Sequence, residues 1–199
     1  FKPDEYAVRN RPLRALYDRA DGVVFQSDFD RRLGERRWGD NNERQRACAV
    51  IGNGIELRPV TELTIPTLVD MRHRYDRLYV CSSNWHAQKR LGCNVRLFQH
   101  LRQAHPNSCL VVMGAHPDVQ VADPHVFYTG AVGPEVYLQV YAAADWMLHL
   151  AWADHCPNVV VEALSQGTPV VCSEVGGTRE LIGHGAYGLV LKEREPYDF

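Results

Sequence analysis

From Arg77 to Leu191, short apolar runs alternate with longer segments of helical period, and this alternation decides the fold class. Leu78–Ser82, Ser108–Met113, His125–Tyr128, Trp146–Leu150, Thr168–Ser173 and Tyr187–Leu191 read as strands. Between them, Lys89–Ala104 carries Leu91, Val95, Phe98 and Leu101 along one helical face. Pro134–Ala143 and Pro157–Ser165 each open on a proline, which is pre-set for the first helical turn, and Thr178–Ile182 reads as a short helix. Strict alternation of this kind predicts a parallel sheet covered on both faces, a doubly wound α/β domain of Rossmann-like type. Upstream, Gly22–Gln26 and Ala47–Ile51 read as strands flanking an Arg-rich helix, Asp28–Trp38, which Gly39-Asp40-Asn41-Asn42 breaks. The turn Gly52-Asn53-Gly54 follows. Residues 56–70, with Pro59 and Pro66, read as a connecting segment.

Charge narrows the partners. The net charge of −2 excludes a polycation built for nucleic acid. Its distribution is uneven: residues 1–102 hold 19 of the 22 basic residues, whereas residues 103–191 hold only Arg179. The arginines between Arg9 and Arg46 read as solvated helix faces of mixed sign, with an anionic polymer or lipid as the alternative partner. No apolar run is long enough to span a bilayer, and no signal-peptide pattern opens the chain. Six cysteines without paired spacing, such as Cys81 in Leu78-Tyr79-Val80-Cys81, read as buried, reduced thiols of a cytosolic protein. The nine histidines lack metal-ligand spacing, His149 and His155 coming nearest, so no metal site is expected.

In doubly wound sheets, ligands sit beyond the carboxyl ends of the strands. The loops to weigh are therefore Ser83–Lys89, Gly114–Pro117, Gly130–Pro134, Ala151–Asn158 and Glu174–Thr178. In Ala153-Asp154-His155-Cys156-Pro157-Asn158-Val159-Val160-Val161-Glu162, the amides of Asn158, Val159 and Val160 would point out of a helix N-terminus toward an anion or a hydroxyl-rich ligand. Asn158 and Glu162, four apart, share a helix face, with Asp154 just ahead. The same residues also read as a helix cap and a surface acid. Glu174-Val175-Gly176-Gly177-Thr178 offers successive amides for a phosphate, or an ordinary tight turn. Lys89, opening a helix against the dipole, fits a nearby anion or an ordinary exposed lysine. Together the three loops supply a cation, amides and carboxylates, an inventory suited to a diphosphate joined to sugars. They contain no Ser–His–Asp set and no G-x-G-x-x-G fingerprint.

The order of these segments resembles the donor-binding C-terminal half of GT-B-fold retaining glycosyltransferases, the group 1 or family-four class. The resemblance rests on Ala144-Asp145, the spacing of Asp154 to Glu162, Glu162-Ala163-Leu164, Gly167-Thr168-Pro169-Val170-Val171, and Gly176-Gly177-Thr178 with Glu180. Phe127-Tyr128-Thr129-Gly130 is similar to the strand before the family's base-binding loop, and Val50-Ile51-Gly52-Asn53-Gly54-Ile55-Glu56 to its interdomain turn. Ala20–Phe29 is similar to the last strand of its N-terminal domain and the residues after it.

The resemblance implies transfer of a sugar from a nucleoside-diphosphate sugar, with UDP or GDP as carrier, to a carbohydrate, lipid-linked or protein acceptor. It further implies retention at the anomeric carbon, no obligatory metal, and peripheral membrane contact where the acceptor is lipid-linked. Asp154 would meet the donor sugar, Glu162 the ribose hydroxyls and Lys89 the diphosphate. Asn84, the amides of Asn158, Val159 and Val160, and those of Gly176, Gly177 and Thr178 would hold sugar and phosphate, with Gly130 and Val132 at the base. Two departures stand out: Asp154 is one methylene shorter than the family's glutamate, and Asn84 replaces its arginine. They leave a non-catalytic nucleotide-sugar binding module as the alternative. Residues 1–55 are expected to be the end of an acceptor domain plus the crossing, and residues 56–199 the donor domain. With Phe1 in first place, the chain is expected to be part of a larger enzyme, unable alone to catalyse transfer.

Overall fold

In the computed structural model, which describes residues 3–41, 43, 46–115, 120–152 and 154–192, the alternation from Arg77 resolves into one sheet of six parallel strands. The strands are β3 (Arg77–Ser82), β4 (Ser108–Met113), β5 (Val126–Gly130), β6 (Trp146–His149), β7 (Val170–Ser173) and β8 (Gly188–Leu191), laid out in the order β5-β4-β3-β6-β7-β8. The helices are α3 (Pro66–Arg74), α4 (Leu91–Ala104), α5 (Pro134–Ala143), α6 (Asn158–Ser165) and α7 (Thr178–Leu181). The chain winds outward from β3 to β5, returns to β6 and winds outward again to β8. The expected doubly wound α/β architecture is what forms.

Successive residues of β3 alternate between the two faces of the sheet, as the pleat requires. Leu78 and Val80 join Val111, Met113, Met147 and Val170 beneath Tyr141, Val160 and Ile182. Tyr79 and Cys81 join Leu110, Val112 and Leu148 beneath Leu91, Val95 and Phe98 of α4. Each such side chain, fully withdrawn from water, contributes about 1.5–3 kcal/mol. Both faces are thereby used, which is why these strands read as continuous apolar runs rather than alternating ones.

Two expectations are corrected. Part of residues 56–70 belongs to α3, which starts at Pro66; the chain leading into it is anchored on α5, where Gln139 Oε1 accepts Thr64 N at 2.7 Å and Ile65 N at 3.2 Å. That anchor lies 75 residues away in sequence, so no local signal announces it. The helix expected from Lys89 begins at Leu91: Ala87–Lys89 forms a single 3-10 turn, and Arg90, at φ 53°, separates the two. Asp145, matched above as part of a motif, serves the fold. Its Oδ2 accepts Leu78 N and Arg72 Nη1, both at 2.7 Å, tying α3 to the start of β3.

The chain divides into two compact units, Phe1–Gly52 and Asn53–Phe199. The first contains α1 (Pro3–Arg19), β1 (Gly22–Phe25), α2 (Asp28–Trp38) and β2 (Ala47–Val50), with β1 and β2 parallel. Ser27 caps α2, its Oγ accepting Asp30 N at 3.1 Å. The apolar pattern does not announce α1, because Pro12 lies inside it and Leu13 and Leu16 are exposed. Of the cysteines, Cys81, Cys109, Cys156 and Cys172 are buried, Cys93 is half-buried and Cys48 is exposed on β2; all six are free thiols. Among the described residues, no helix is long and apolar enough to cross a membrane. Asn42, His116, Pro117 and Ala153, which fall in segments weighed above, lie outside the described residues, as do residues 193–199.

Candidate functional site

The strand order reverses between β3 and β6, so the loops leaving their carboxyl ends diverge and open a crevice. Two of the expected loops, after Ser82 and after His149, therefore face each other. The path out of β3 is fixed by Gly114 (φ 116°): a Cβ there would lie 1.7 Å from Ser83 O. Trp85 seals the same corner, its Nε1 donating to Met113 O at 2.9 Å. The chain then makes the 3-10 turn that carries Lys89.

Lys89 Nζ donates to Asp154 Oδ2 across the crevice, with the two side chains 22% and 14% exposed. The same oxygen lies 3.4 Å from His149 Nε2, at the end of β6, where His149 is 4% exposed. Burial alone would raise the Asp154 pKa. The nearby His149 imidazole, and then the hydrogen bond and charge of Lys89, outweigh it and hold the carboxyl well below the usual carboxylate range. The backbone of Asp154 is held as well, its carbonyl accepting Gly177 N at 2.7 Å. Three of the expected loops thus converge on Asp154.

The turn bearing Lys89 is locked by Asn94, a buried residue on the apolar face of α4. Asn94 Nδ2 donates to Arg90 O at 3.0 Å, and Asn94 Oδ1 accepts Leu150 N at 3.0 Å. The Arg90 guanidinium lies over the Trp152 ring at 4.5 Å, and Trp152 N donates to Gln88 O at 2.8 Å. A non-glycine residue in the left-handed region costs about 1–2 kcal/mol, and this network holds it there.

The turn into α6 is organised from Asn53. Its Nδ2 donates to Cys156 O at 2.8 Å and Asn158 Oδ1 at 2.7 Å, and its backbone N lies 3.3 Å from Cys156 Sγ. Pro157, expected in the first turn of α6, stands one position ahead of it at the N-cap, and Val160 N donates to Pro157 O at 3.1 Å, so the expectation of a ligand-facing Val160 amide is corrected. The Gly177 amide is likewise committed, to Asp154. Gly176 (φ 107°) and Thr178 are buried beside it.

Glu162 points elsewhere. It accepts a hydrogen bond from Tyr137 of α5; burial raises its pKa, and the Tyr137 bond offsets part of that rise. Asp154 and Lys89 are brought together, and Glu162 is not joined to them. Asn84 is exposed, its carbonyl accepting Ser83 Oγ at 3.4 Å. Gly130 (φ 71°) is exposed at the end of β5, and its carbonyl accepts Gly114 N at 2.8 Å. Val132 packs against the core beside α5. Among the described residues, no group of three or more His, Cys, Asp or Glu side chains is placed to hold a metal ion. A cavity of about 230 Å³ lined by Arg58, Glu62, Thr64 and Glu135 lies along α5, away from the Lys89–Asp154 crevice.

Asn94 and Asn53 were not singled out from sequence, and His149 was weighed there only as a metal ligand. Asn94 is a polar residue inside the apolar stripe Leu91–Val95–Phe98, and His149 interrupts the run Met147-Leu148-His149-Leu150; both are visible as anomalies of pattern. Asn53 appears in a turn motif that gives no hint of its bonds to Cys156 and Asn158.

Residues 76–199 match the family described as glycosyl transferases group 1. A D-inositol 3-phosphate glycosyltransferase of Nocardia farcinica is 36% identical over 66 residues, 33% of this chain and 15% of the relative. A GDP-mannose-dependent alpha-mannosyltransferase of Mycobacterium tuberculosis is 35% identical over 85 residues, 41% of this chain and 22% of the relative. Among solved structures, Anabaena HepE in complex with UDP-glucose is similar with a TM-score of 0.77 and 22% identity, over 98% of this chain and 56% of that one. Sucrose-phosphate synthase from Thermosynechococcus elongatus gives a TM-score of 0.69 and 22% identity, over 94% of this chain and 49% of that one. The aligned stretch is thus 15–22% of the length of these curated relatives, and the chain spans about half the length of the solved structures. The parallel sheet with its reversal between β3 and β6, and a family match over more than half of the residues, lead to one assignment: the chain belongs to the glycosyl transferases group 1 family, of GT-B fold.

Proposed function

We propose that this chain is the donor-binding part of a retaining glycosyltransferase that moves a sugar from a nucleoside-diphosphate sugar, with UDP or GDP as carrier, to a carbohydrate, lipid-linked or protein acceptor. The meeting of Lys89 and Asp154 at the strand-order reversal carries the reading. A cation and a carboxylate side by side suit a ligand that joins a diphosphate to a sugar. Lys89 would take the diphosphate and stabilise the charge that develops on the leaving group. Asp154 would accept from the donor sugar's hydroxyls, and Glu162 from the ribose. The amides of Asn158 and Val159, with the Gly176–Thr178 turn and Asn84, would complete the sugar and phosphate contacts, and Gly130 and Val132 would border the base. In this reading no metal is obligatory. Residues 1–55 belong to the end of an acceptor domain and the crossing, residues 56–199 to the donor domain, and the chain by itself binds donor without transferring sugar. The protein acts in the cytoplasm, with peripheral membrane contact where the acceptor is lipid-linked.

Calorimetric titration with UDP and GDP tests the site. Binding is expected to one of them and to fall at least tenfold in Lys89→Ala and in Glu162→Ala; unchanged binding in both variants overturns the assignment.

A non-catalytic nucleotide-sugar module is the second reading, favoured by the uncharged Asn84 on the Lys89 loop and the short carboxylate of Asp154. Donor hydrolysis or transfer by a longer chain containing these residues decides against it.

A further inference from the structure

We infer that His149 is a positioning residue that takes over Asp154 when Lys89 turns to a donor diphosphate. The inference rests on the proposed role of Lys89. It starts from the sharing of one oxygen: Asp154 Oδ2 bonds Lys89 Nζ and lies 3.4 Å from His149 Nε2. The two partners differ in freedom. Lys89 carries its ammonium on a four-carbon stem from a surface turn, and that stem can swing toward a phosphate. His149 is buried at the end of β6, paired in register with Cys172 of β7, and cannot leave.

His149 Nε2 is itself buried and makes no hydrogen bond of normal length; Asp154 Oδ2, at 3.4 Å, lies slightly too far for one. A shift of the carboxylate by a few tenths of an ångström closes that gap to the usual range of about 2.7–3.2 Å. Such a shift is blocked while Lys89 holds the oxygen and becomes available when Lys89 departs. Without His149, departure of Lys89 would strand a carboxylate that is only 14% exposed, and a buried charge that loses its partner is strongly disfavoured. Asp154 would then hold Lys89 back from the diphosphate. His149 lowers the cost of releasing Lys89 and keeps Asp154 facing the donor sugar.

The test is a cycle of variants of the present chain, each titrated calorimetrically with the nucleoside diphosphate, UDP or GDP, that the unsubstituted chain binds. His149→Leu is expected to weaken binding about tenfold. His149→Gln, which keeps a donor near the Nε2 position, is expected to remain within about threefold. The decisive variant is His149→Leu with Asp154→Asn. Removing the charge that retains Lys89 is expected to restore the affinity, which a merely structural defect at His149 would not allow. In the Lys89→Ala background, His149→Leu is expected to add no further loss. Affinity unaffected by His149→Leu, or a loss that Asp154→Asn leaves in place, overturns the inference. Affinity unaffected by Lys89→Ala overturns the reading of Lys89 instead, so the two failures are told apart. Should His149→Leu fail to fold by thermal denaturation, His149→Ala in the same cycle gives the same discrimination.

Discussion

Lys89 and Asp154 stand 65 positions apart in the chain and meet through their side chains where the sheet reverses its winding. Lys89 owes its position to the Arg90 turn and the Asn94 clamp, and Asp154 to the end of β6 and the Gly177 amide.

The depressed Asp154 pKa makes stability depend on acid. A carboxyl whose folded pKa lies below its unfolded value near ~3.9 contributes stability that is complete above that value and is lost as pH falls toward the folded pKa. Asp154→Asn is therefore expected to be less stable than the parent at pH 7, with the gap narrowing below about pH 4. Urea midpoints across that range check the sign; a gap that widens in acid contradicts it.

Glu162 has the opposite sign. Burial raises its pKa, so its ionised form is a net penalty on folding above its titration range, and the penalty disappears as pH falls below the unfolded value near ~4.3. Glu162→Gln, which keeps an acceptor for Tyr137, is expected to melt higher than the parent at pH 7 and at the same temperature in acid. The same variant is expected to lose nucleotide affinity. A stabilised but weakly binding protein would mark Glu162 as retained for its ligand rather than for the fold.

Gly114 admits no side chain. Gly114→Ala would set a Cβ 1.7 Å from Ser83 O at φ 116°, and relief requires moving backbone at the mouth of the crevice. A loss of about 3 kcal/mol or more is expected, as for other strained or overpacked sites. Denaturant unfolding measures it, and the Trp85 fluorescence should report the displaced corner.

Asn94 and Arg90 separate two contributions to the Lys89 turn. Asn94→Leu leaves the Leu150 amide without its partner, removes the side-chain bond to the Arg90 carbonyl, and is expected to cost about 1–3 kcal/mol. Arg90→Gly removes about 1–2 kcal/mol of left-handed strain and also the Trp152 stacking, worth about 0.5–1 kcal/mol. It is expected to be near-neutral, whereas Arg90→Ala keeps the strain and loses the stacking. Unfolding free energies should therefore rank Gly above Ala by about 1 kcal/mol.

The strands and most of the helices were legible because each buries a face and must carry the matching period, as in Ser108–Met113 and Pro134–Ala143. The failures have a common cause in long-range bonds. The chain leading into α3 is anchored by Gln139, and the break before α4 exists because Asn94 and Leu150 stabilise it. In the candidate site, the loops could be named from strand ends alone, and so could Asp154 and Lys89 as residues on them. That Lys89 bonds Asp154, that His149 shares its oxygen and that Glu162 turns to Tyr137 depend on which strands become neighbours, and sequence spacing does not encode that.

The strand order also dictates when the site can exist. β3 pairs with β4 on one side through local connections, and β6 pairs with β7 in the same way, but β3 and β6 join only across the long excursion through β5 and α5. Closing that separation is the slow, entropically costly event in assembling such a sheet. Either half of the sheet can pair internally while Lys89 and Asp154 are still on separate pieces. The crevice therefore forms only in the step that unites the two halves, when Lys89 and Asp154 first come within reach of each other.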